Sequence, residues 1–168
     1  MLLIYTGNGK GKTSACVGQA VRALGRGFRV AFGQFMKRPD QAGEQKILAQ
    51  LLGAAFFACG AGFYRDPADY QRHRSRVEEL LGWVRTRLAD GLDLLVLDEA
   101  VYALGAGLLT AEEMMEMIQL CAARNCHLVL SGRGAPGWLV DRADIVSEIV
   151  EVKHVFAQGG KARPGIEF

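Results

Sequence analysis

The chain has 168 residues, of which 50% are hydrophobic and 23% are charged, which excludes a disordered or low-complexity protein. The 20 basic and 18 acidic side chains leave a formal charge of only +2, so neither nucleic acid nor an anionic membrane is expected as a partner. At this length we expect one nucleotide-binding domain over residues 1–168.

Neither a cysteine-based metal site nor export is indicated. The four cysteines form no C-x-x-C pair and no histidine completes a zinc spacing, so free buried thiols are expected. Residues 1–5 are followed at once by glycines, which argues against a secretory signal, and we expect a cytoplasmic protein. The longest uncharged run, residues 47–64, is broken by Gln50 and several glycines; we interpret it as helix end, strand and loop, not as a membrane span.

The first half of the chain alternates short apolar runs, which predict strands, with stretches of helical character. These elements are a strand at 2–5, a helix at 12–24, a strand at 29–35, a helix at 44–52 and an apolar stretch at 54–58. Gly25 and Gly27 end the first helix.

The second half has clear local signals for helix ends. Asp66 and Pro67 start a helix whose apolar spacing reaches Leu88, and Thr110 with Glu113 forms a capping box for another. The arginines of the first of these helices, at 72, 74, 76, 85 and 87, are interpreted as a solvated face. Strands are predicted at 92–99, 127–132 and 144–152, and the glycine-rich tail 157–168 is expected to lie along the surface.

Strands and helices alternate along the chain without an internal repeat. This pattern predicts an α/β fold with a mostly parallel, open sheet and right-handed crossovers, flanked by helices on both faces. A ligand binds such a sheet at the carboxyl ends of its strands. The residues with the strongest chemical signals all fall at that edge.

The first of these signals is TGNGKGKTS at residues 6–14, which joins a strand to a helix as a nucleotide-binding P-loop does. Thr6 stands where the usual pattern has its first glycine. Glycines 7, 9 and 11 can adopt positive φ and turn backbone N–H groups toward phosphate oxygens. Lys12 would reach the distal phosphates and Thr13 would offer its hydroxyl to Mg²⁺, while Lys10 adds a second cation.

Acidic and basic residues follow two other strands. Asp98 and Glu99 close an apolar strand in the Walker B arrangement, which holds Mg²⁺; the alternative for one of them is a helix cap. Arg133 follows the strand at 127–132 and would contact phosphate, unless it is a surface arginine in a glycine turn. These residues indicate a nucleoside triphosphate with Mg²⁺ and leave open a small kinase or a motor-like ATPase. The absence of N-K-x-D argues against a GTPase.

The whole chain resembles a known family. The segments that carry the resemblance are TGNGKGKTS, RALGRGFRVAFGQFMK, GAGFYRD, LLVLDEAVYAL, LSGRGAP and VKHVFAQGGKARPGIEF. In this order they are similar to the P-loop ATP:corrinoid adenosyltransferases. The resemblance implies a RecA-like fold, a homodimer, and transfer of the 5′-deoxyadenosyl group of ATP to Co(I) of a reduced corrinoid with release of inorganic triphosphate. It also implies Mg²⁺ and an electron-donor protein, flavodoxin-like or similar, in the biosynthesis or salvage of adenosylcobalamin.

The resemblance also implies site residues. Lys12 and Arg133 are the expected catalytic residues, and Thr13 with Glu99, in preference to Asp98, the expected metal ligands. The nucleotide-binding set is Gly7, Asn8, Gly9, Lys10, Gly11, Lys12, Thr13 and Ser14. The alternative is a P-loop ATPase that acts as a switch or binding module for a macromolecular partner.

The segment GAGFYRD, residues 60–66, is similar to the part of the family that closes over the corrinoid. Its predicted corrinoid-binding residues are Phe63, Tyr64 and Arg65. Phe63 aligns with an aromatic residue that helps to exclude the lower axial ligand, which makes Co(II) easier to reduce; simple loop packing is the alternative. Arg65 stands where some relatives carry Trp, and Tyr64 is the candidate replacement.

Overall fold

The computed structural model describes residues 1–155 and 159–167. Its strands are β1 (Leu2–Thr6), β2 (Val30–Gln34), β3 (Phe56–Ala58), β4 (Leu94–Asp98), β5 (His127–Ser131) and β6 (Ile145–Glu148). They form one sheet of six strands in the order β3-β2-β4-β5-β1-β6, and every neighbouring pair is parallel. All strands therefore end at the same edge of the sheet.

Six α-helices connect these strands in the described part of the chain. They are α1 (Lys12–Leu24), α2 (Gly43–Leu52), α3 (Tyr70–Ala89), α4 (Ala100–Gly105), α5 (Ala111–Ala123) and α6 (Gly137–Val140). One predicted cap starts a 3₁₀ turn, Pro67–Asp69, which leads into α3, and the other starts α5. The Asp66 carboxylate accepts a hydrogen bond from Ala68 N–H at 2.9 Å, and the Thr110 hydroxyl accepts one from Glu113 N–H at 3.2 Å.

The strands are apolar because helices cover both faces of the sheet. On one face Leu94 and Val96 pack in a cluster with residues of α1 and α2. On the other, Leu95 and Leu97 pack with residues of α3, α4 and α5. All five residues of β4 are buried, as a strand between two helical layers requires. The predicted fold class, a RecA-like P-loop α/β fold, is confirmed, and the sheet is parallel throughout.

Two of the arginines predicted to form a solvated face of α3 instead bind α5. Arg74 donates two hydrogen bonds to Glu113, at 2.8 and 2.6 Å, and Arg85 donates two to Glu116, at 2.9 and 2.7 Å. Paired N–H donors of a guanidinium match a carboxylate, so these contacts fix α3 beside α5. The prediction of a solvated face was therefore wrong for Arg74, which also donates to the Leu108 carbonyl at 2.9 Å.

The last strand is shorter than the alternating pattern at 144–152 predicts. β6 ends at Glu148 because the chain then packs on the glycine loop: Ile149 N–H donates to Thr6 O at 2.9 Å, and Ile149 O accepts from Gly9 N–H at 2.7 Å. The sequence patterns did not predict the short helices α4 and α6. The described part of the tail is largely exposed, and residues 156–158 and 168 of its motif lie outside the described residues.

The uncharged run at 47–64 contains the end of α2, a 3₁₀ turn at Gly53–Ala55 and β3, as predicted. In the described ranges, no helix combines the length and the apolar character that crossing a membrane requires. All four cysteines are free and buried, which confirms the prediction for them.

Candidate functional site

The glycine loop between β1 and α1 has the backbone that was predicted at two of its three glycines. Gly7 has φ 95° and Gly11 has φ 124°, values that favour glycine. Gly9 lies outside this region, so the prediction of positive φ was wrong for it. Glycine is needed there because a Cβ at Gly7 or Gly9 would collide with the backbone of residues 149–150.

Thr6 replaces the first glycine of the usual pattern without distorting the loop. It is the last residue of β1, where it pairs with Glu148 of β6. Its hydroxyl accepts a hydrogen bond from Ala135 N–H at 3.3 Å, on the segment that follows β5. A threonine at this position therefore connects the glycine loop to the segment that carries Arg133.

Lys12 is held against the glycine loop that precedes it. Its side chain is 7% exposed, and Nζ donates to the carbonyls of Gly7 and Gly9 at 2.8 Å each. Burial lowers the pKa of the Lys12 ammonium, and Arg133 adds to this effect while Glu99 and Asp98 oppose it. The ammonium lies at the N-terminus of α1, where the helix dipole also favours an anion. The polar side chains of Asn8, Lys10 and Ser14 are exposed around it.

The carboxylate of Asp98 lies at the centre of the candidate site. Asp98 is 0% exposed at the end of β4. The Thr13 hydroxyl is 3.1 Å from both of its carboxylate oxygens, so the predicted hydroxyl and one predicted carboxylate are in contact. Ser131 of β5 donates to Asp98 Oδ1 at 2.6 Å, and Gln34 of β2 donates to Oδ2 at 3.1 Å.

Lys37 and Glu44 also belong to the site, although the sequence patterns did not identify them as site residues. Lys37 Nζ lies 3.1 Å from Asp98 Oδ2, and it is 2.9 Å from both Thr13 Oγ1 and Glu44 Oε1. Burial on its own would lower the pKa of Lys37, but Asp98 and Glu44 outweigh it and the pKa is raised. The signal that could have found Lys37 is its position two residues beyond a predicted strand that ends at the ligand-binding edge.

Glu99 and Arg133 lie at the same edge as Lys12. Glu99 adopts the left-handed region with φ 62°, and its N–H donates to Ser131 Oγ at 3.0 Å. Burial and the neighbouring Asp98 charge raise the pKa of Glu99, and Lys37, Lys12 and Arg133 oppose that rise. Arg133 is exposed after Gly132, which has φ 141°. The charges of Asp98, Glu99, Lys12 and Arg133 are thus close enough to influence one another.

The segment predicted to bind corrinoid exposes one aromatic side chain and anchors the next. The Phe63 side chain is 78% exposed, and the Arg65 guanidinium lies 5.4 Å from its ring centre. This exposure argues against the alternative that Phe63 only packs within its loop. Tyr64 is half-buried against His73 of α3, with ring centres 5.2 Å apart. His73, which the sequence patterns did not single out, is 2% exposed.

Hydrogen bonds connect residues 60–62, at the start of this segment, to the turn that carries Lys37. Gly62 N–H donates to Met36 O at 2.7 Å, and Arg38 Nε donates to Ala61 O at 3.0 Å. Gly60 lies so close to Met36 that a Cβ would collide with the Met36 carbonyl group. Residues 36–38 therefore connect the segment 60–66 to the site around Asp98.

Comparisons with known proteins show the family of the chain. The family model described as "ATP:corrinoid adenosyltransferase BtuR/CobO/CobP" matches residues 1–168. A corrinoid adenosyltransferase of Pseudomonas aeruginosa is 37% identical over 100% of this chain and 83% of its own length. One of Escherichia coli is 34% identical over 100% of this chain and 85% of its own. The structure of the flagellar accessory protein FlaH from Methanocaldococcus jannaschii aligns with a TM-score of 0.55 and 11% identity, over 88% of this chain and 69% of that one, which shows the fold alone.

The buried ring of His73 predicts a dependence of stability on pH. Burial lowers the pKa of His73 below 6.5, and Arg72 and Arg38 contribute to this while Asp69 opposes it. The unfolded chain therefore binds a proton that the folded chain excludes. His73 stabilises the fold fully above the unfolded pKa, and this contribution is lost as the pH falls below that value toward the lower folded pKa.

We expect wild type to lose more stability than His73→Leu between about pH 7.5 and about pH 5.5, because only wild type carries this group. Urea unfolding of both proteins at the two pH values measures the difference. Equal losses in both proteins would contradict the assignment.

Proposed function

The chain belongs to the ATP:corrinoid adenosyltransferase family and is an enzyme that adenosylates corrinoids, and from this premise we propose how its residues perform the transfer. One observation carries the proposal: the glycine loop and Lys12 lie beside the Thr13–Asp98 pair at the carboxyl edge of the sheet. The family does not favour the alternative of a switch ATPase for a macromolecular partner.

In the proposed reaction, Co(I) of the corrinoid attacks the 5′-carbon of ATP. The cobalt–carbon bond forms with the electron pair of Co(I), the carbon–oxygen bond breaks, and its electron pair leaves with triphosphate. The substrate supplies the nucleophile, so the protein needs none. Catalysis then consists of positioning the two substrates and stabilising charge on the departing triphosphate.

We assign the triphosphate to the glycine loop, residues 7–14. Its backbone N–H groups and the N-terminus of α1 attract anions. Two loop carbonyls accept hydrogen bonds from the Lys12 ammonium and fix its position. A cation that is ordered in advance stabilises developing negative charge without further reorganisation. Arg133, exposed at the same edge, is the second proposed cation.

The proposal includes Mg²⁺, and the donor set fits it. Mg²⁺ prefers oxygen ligands and is commonly held by one or two carboxylates together with substrate phosphates. The Thr13 hydroxyl and the Asp98 carboxylate lie within 3.1 Å of each other, and Glu99 is the adjoining residue. Residues 1–155 and 159–167 contain no group of three or more His, Cys, Asp or Glu side chains that could hold a metal. When bound, Mg²⁺ would neutralise charge on the triphosphate.

We propose that the exposed segment 63–65 contacts the corrinoid. An aromatic side chain that is 78% exposed is available to pack on a large apolar ring. Tyr64 would serve as the anchor of the segment, because His73 already holds its ring. In this proposal Phe63 would help to exclude the lower axial ligand of the corrinoid, and Arg65 is the cation that lies over its ring.

A homodimer, an electron-donor protein and a cytoplasmic location complete the proposal. The homodimer has an apolar surface available on and after the edge strand β6, where Ile145, Val146, Val150 and Val152 are exposed. A monomer mass in light scattering would contradict it. Arg38, Arg72 and Arg76 line a groove of about 520 Å³ beside residues 57–61. Arg76 is already paired with Glu79 of the same groove at 2.8 Å, so we propose that Arg38 and Arg72 receive an acidic electron donor.

Lys12→Ala tests the proposed role of the glycine loop. The purified protein, MgATP and chemically reduced cobalamin or cobinamide should yield inorganic triphosphate and a light-sensitive cobalt–carbon product. Lys12→Ala should lower that rate by about 10²- to 10³-fold, because charge on the leaving group loses a fixed cation. Lys46→Ala, on the exposed face of α2, is the matched control and should retain wild-type activity. ADP and phosphate as the only products of the wild type would overturn the proposal, and an unchanged rate in Lys12→Ala would refute the role of the loop.

Phe63→Ala tests the proposed contact with the corrinoid. The variant should lose far more activity in an assay that starts from Co(II) with a reductant than in one that starts from Co(I). The reason is that the proposed contact assists reduction and not the alkyl transfer. Phe28→Ala, at another exposed phenylalanine, should affect neither assay. Equal losses in the two assays would show that Phe63 has no role in reduction.

A further inference from the structure

The Lys37 ammonium bonds to two of the oxygen donors that the proposed function assigns to the metal, those of Thr13 and Asp98, and also to Glu44. Its Nζ lies 2.9 Å from Thr13 Oγ1, 3.1 Å from Asp98 Oδ2 and 2.9 Å from Glu44 Oε1. A lysine ammonium has three donors, and these three acceptors use all of them. Lys37 is therefore a positive charge on the atoms where a divalent cation would bind.

The backbone that places Lys37 there is strained and closely supported. Lys37 N–H donates to Phe35 O at 2.6 Å across Met36, which has φ 60°, so residues 35–37 form a γ-turn of the rare positive-φ type. A residue with a side chain adopts this conformation only where its surroundings enforce it. Gly60, packed on the Met36 backbone, and Gly62, bonded to Met36 O, supply that support.

The burial of Asp98 explains why a cation is needed beside it. A carboxylate that is 0% exposed is costly to bury unless an opposite charge accompanies it. Lys37 supplies that charge and also bonds to the Thr13 hydroxyl, which keeps the two oxygen donors together. A divalent cation on the same oxygen atoms would face strong repulsion from an ammonium about 3 Å from each of them.

We propose that Lys37 is an internal counter-cation that excludes divalent metal from the nucleotide-free site and leaves the Thr13–Asp98 pair when metal enters with the triphosphate. The inference rests on the proposed function, which assigns this pair to the metal. The triphosphate brings its own negative charges, so it restores the attraction that Lys37 cancels. Lys37 thereby makes metal binding depend on nucleotide, and it acts as a positioning residue for the pair.

Binding of Mn²⁺ to the nucleotide-free protein tests this directly, with free Mn²⁺ measured by electron paramagnetic resonance. Lys37→Met should bind Mn²⁺ at least about tenfold more tightly than wild type, since removing one charge next to the site changes affinity by at least that factor. Lys46→Met removes an exposed lysine of α2 and should match wild type. In the double variant Lys37→Met/Asp98→Asn, the gain should disappear.

Two results would overturn the inference: Mn²⁺ affinity of folded Lys37→Met that is no higher than that of wild type, or a gain that survives Asp98→Asn. Circular dichroism verifies folding. Lys37→Gln keeps polar hydrogen-bonding groups without the charge, so it must show the same gain even if Lys37→Met unfolds. The titration uses neither ATP nor corrinoid, so its failure is distinct from a failure of the transfer reaction.

A second titration adds ATP. The difference in Mn²⁺ affinity between Lys37→Met and wild type should then shrink, and an unchanged difference would contradict the role of the triphosphate.

Discussion

The burial of one carboxylate organises the site. Asp98 closes the central strand β4 with 0% exposure, and its partners are Thr13 on α1, Gln34 on β2, Ser131 on β5 and Lys37 beyond β2. A buried charge without such partners would cost several kcal/mol, so the carboxylate is satisfied only when these elements are correctly placed. The stability of the sheet and the geometry of the site are therefore coupled through Asp98.

The glycine loop depends on this arrangement from one side and on β6 from the other. Thr13, at the start of α1, bonds to Asp98, while Gly9 N–H bonds to Ile149 O after β6. Between these two supports Lys12 bonds to the loop carbonyls and needs no further ordering to meet an anion. The loop therefore holds its cation in a fixed position, which is what the proposed stabilisation of the departing triphosphate requires.

Local patterns predicted most of the fold, and contacts distant in sequence account for what they missed. The helix α1 begins at Lys12 and ends at Leu24 as predicted, because glycines on both sides terminate it. The strand at 144–152 was predicted too long, since its alternation continues past the point where Ile149 bonds to the glycine loop. Nothing in a local pattern indicates that contact.

The same distinction applies to the candidate site. The glycine loop, Asp98–Glu99 and Arg133 each follow a strand, and parallel strands bring such positions to one edge. The contacts of Lys37 and His73 arise instead from a strained turn and from a helix packed on a loop. The identity of these residues in the sequence does not indicate which side chains they contact. The roles of the predicted site residues stay predictions, and the variants of Lys12 and Phe63 test two of them.

If the loop holds triphosphate as a leaving group, the bond between the 5′-carbon and its oxygen is the one that breaks. ATP labelled with oxygen-18 at the 5′-oxygen tests it in a single turnover with reduced corrinoid. Mass spectrometry of the inorganic product should find the label in triphosphate. Label retained by the nucleoside, with phosphate or diphosphate released unlabelled, would show cleavage at phosphorus and would contradict the account.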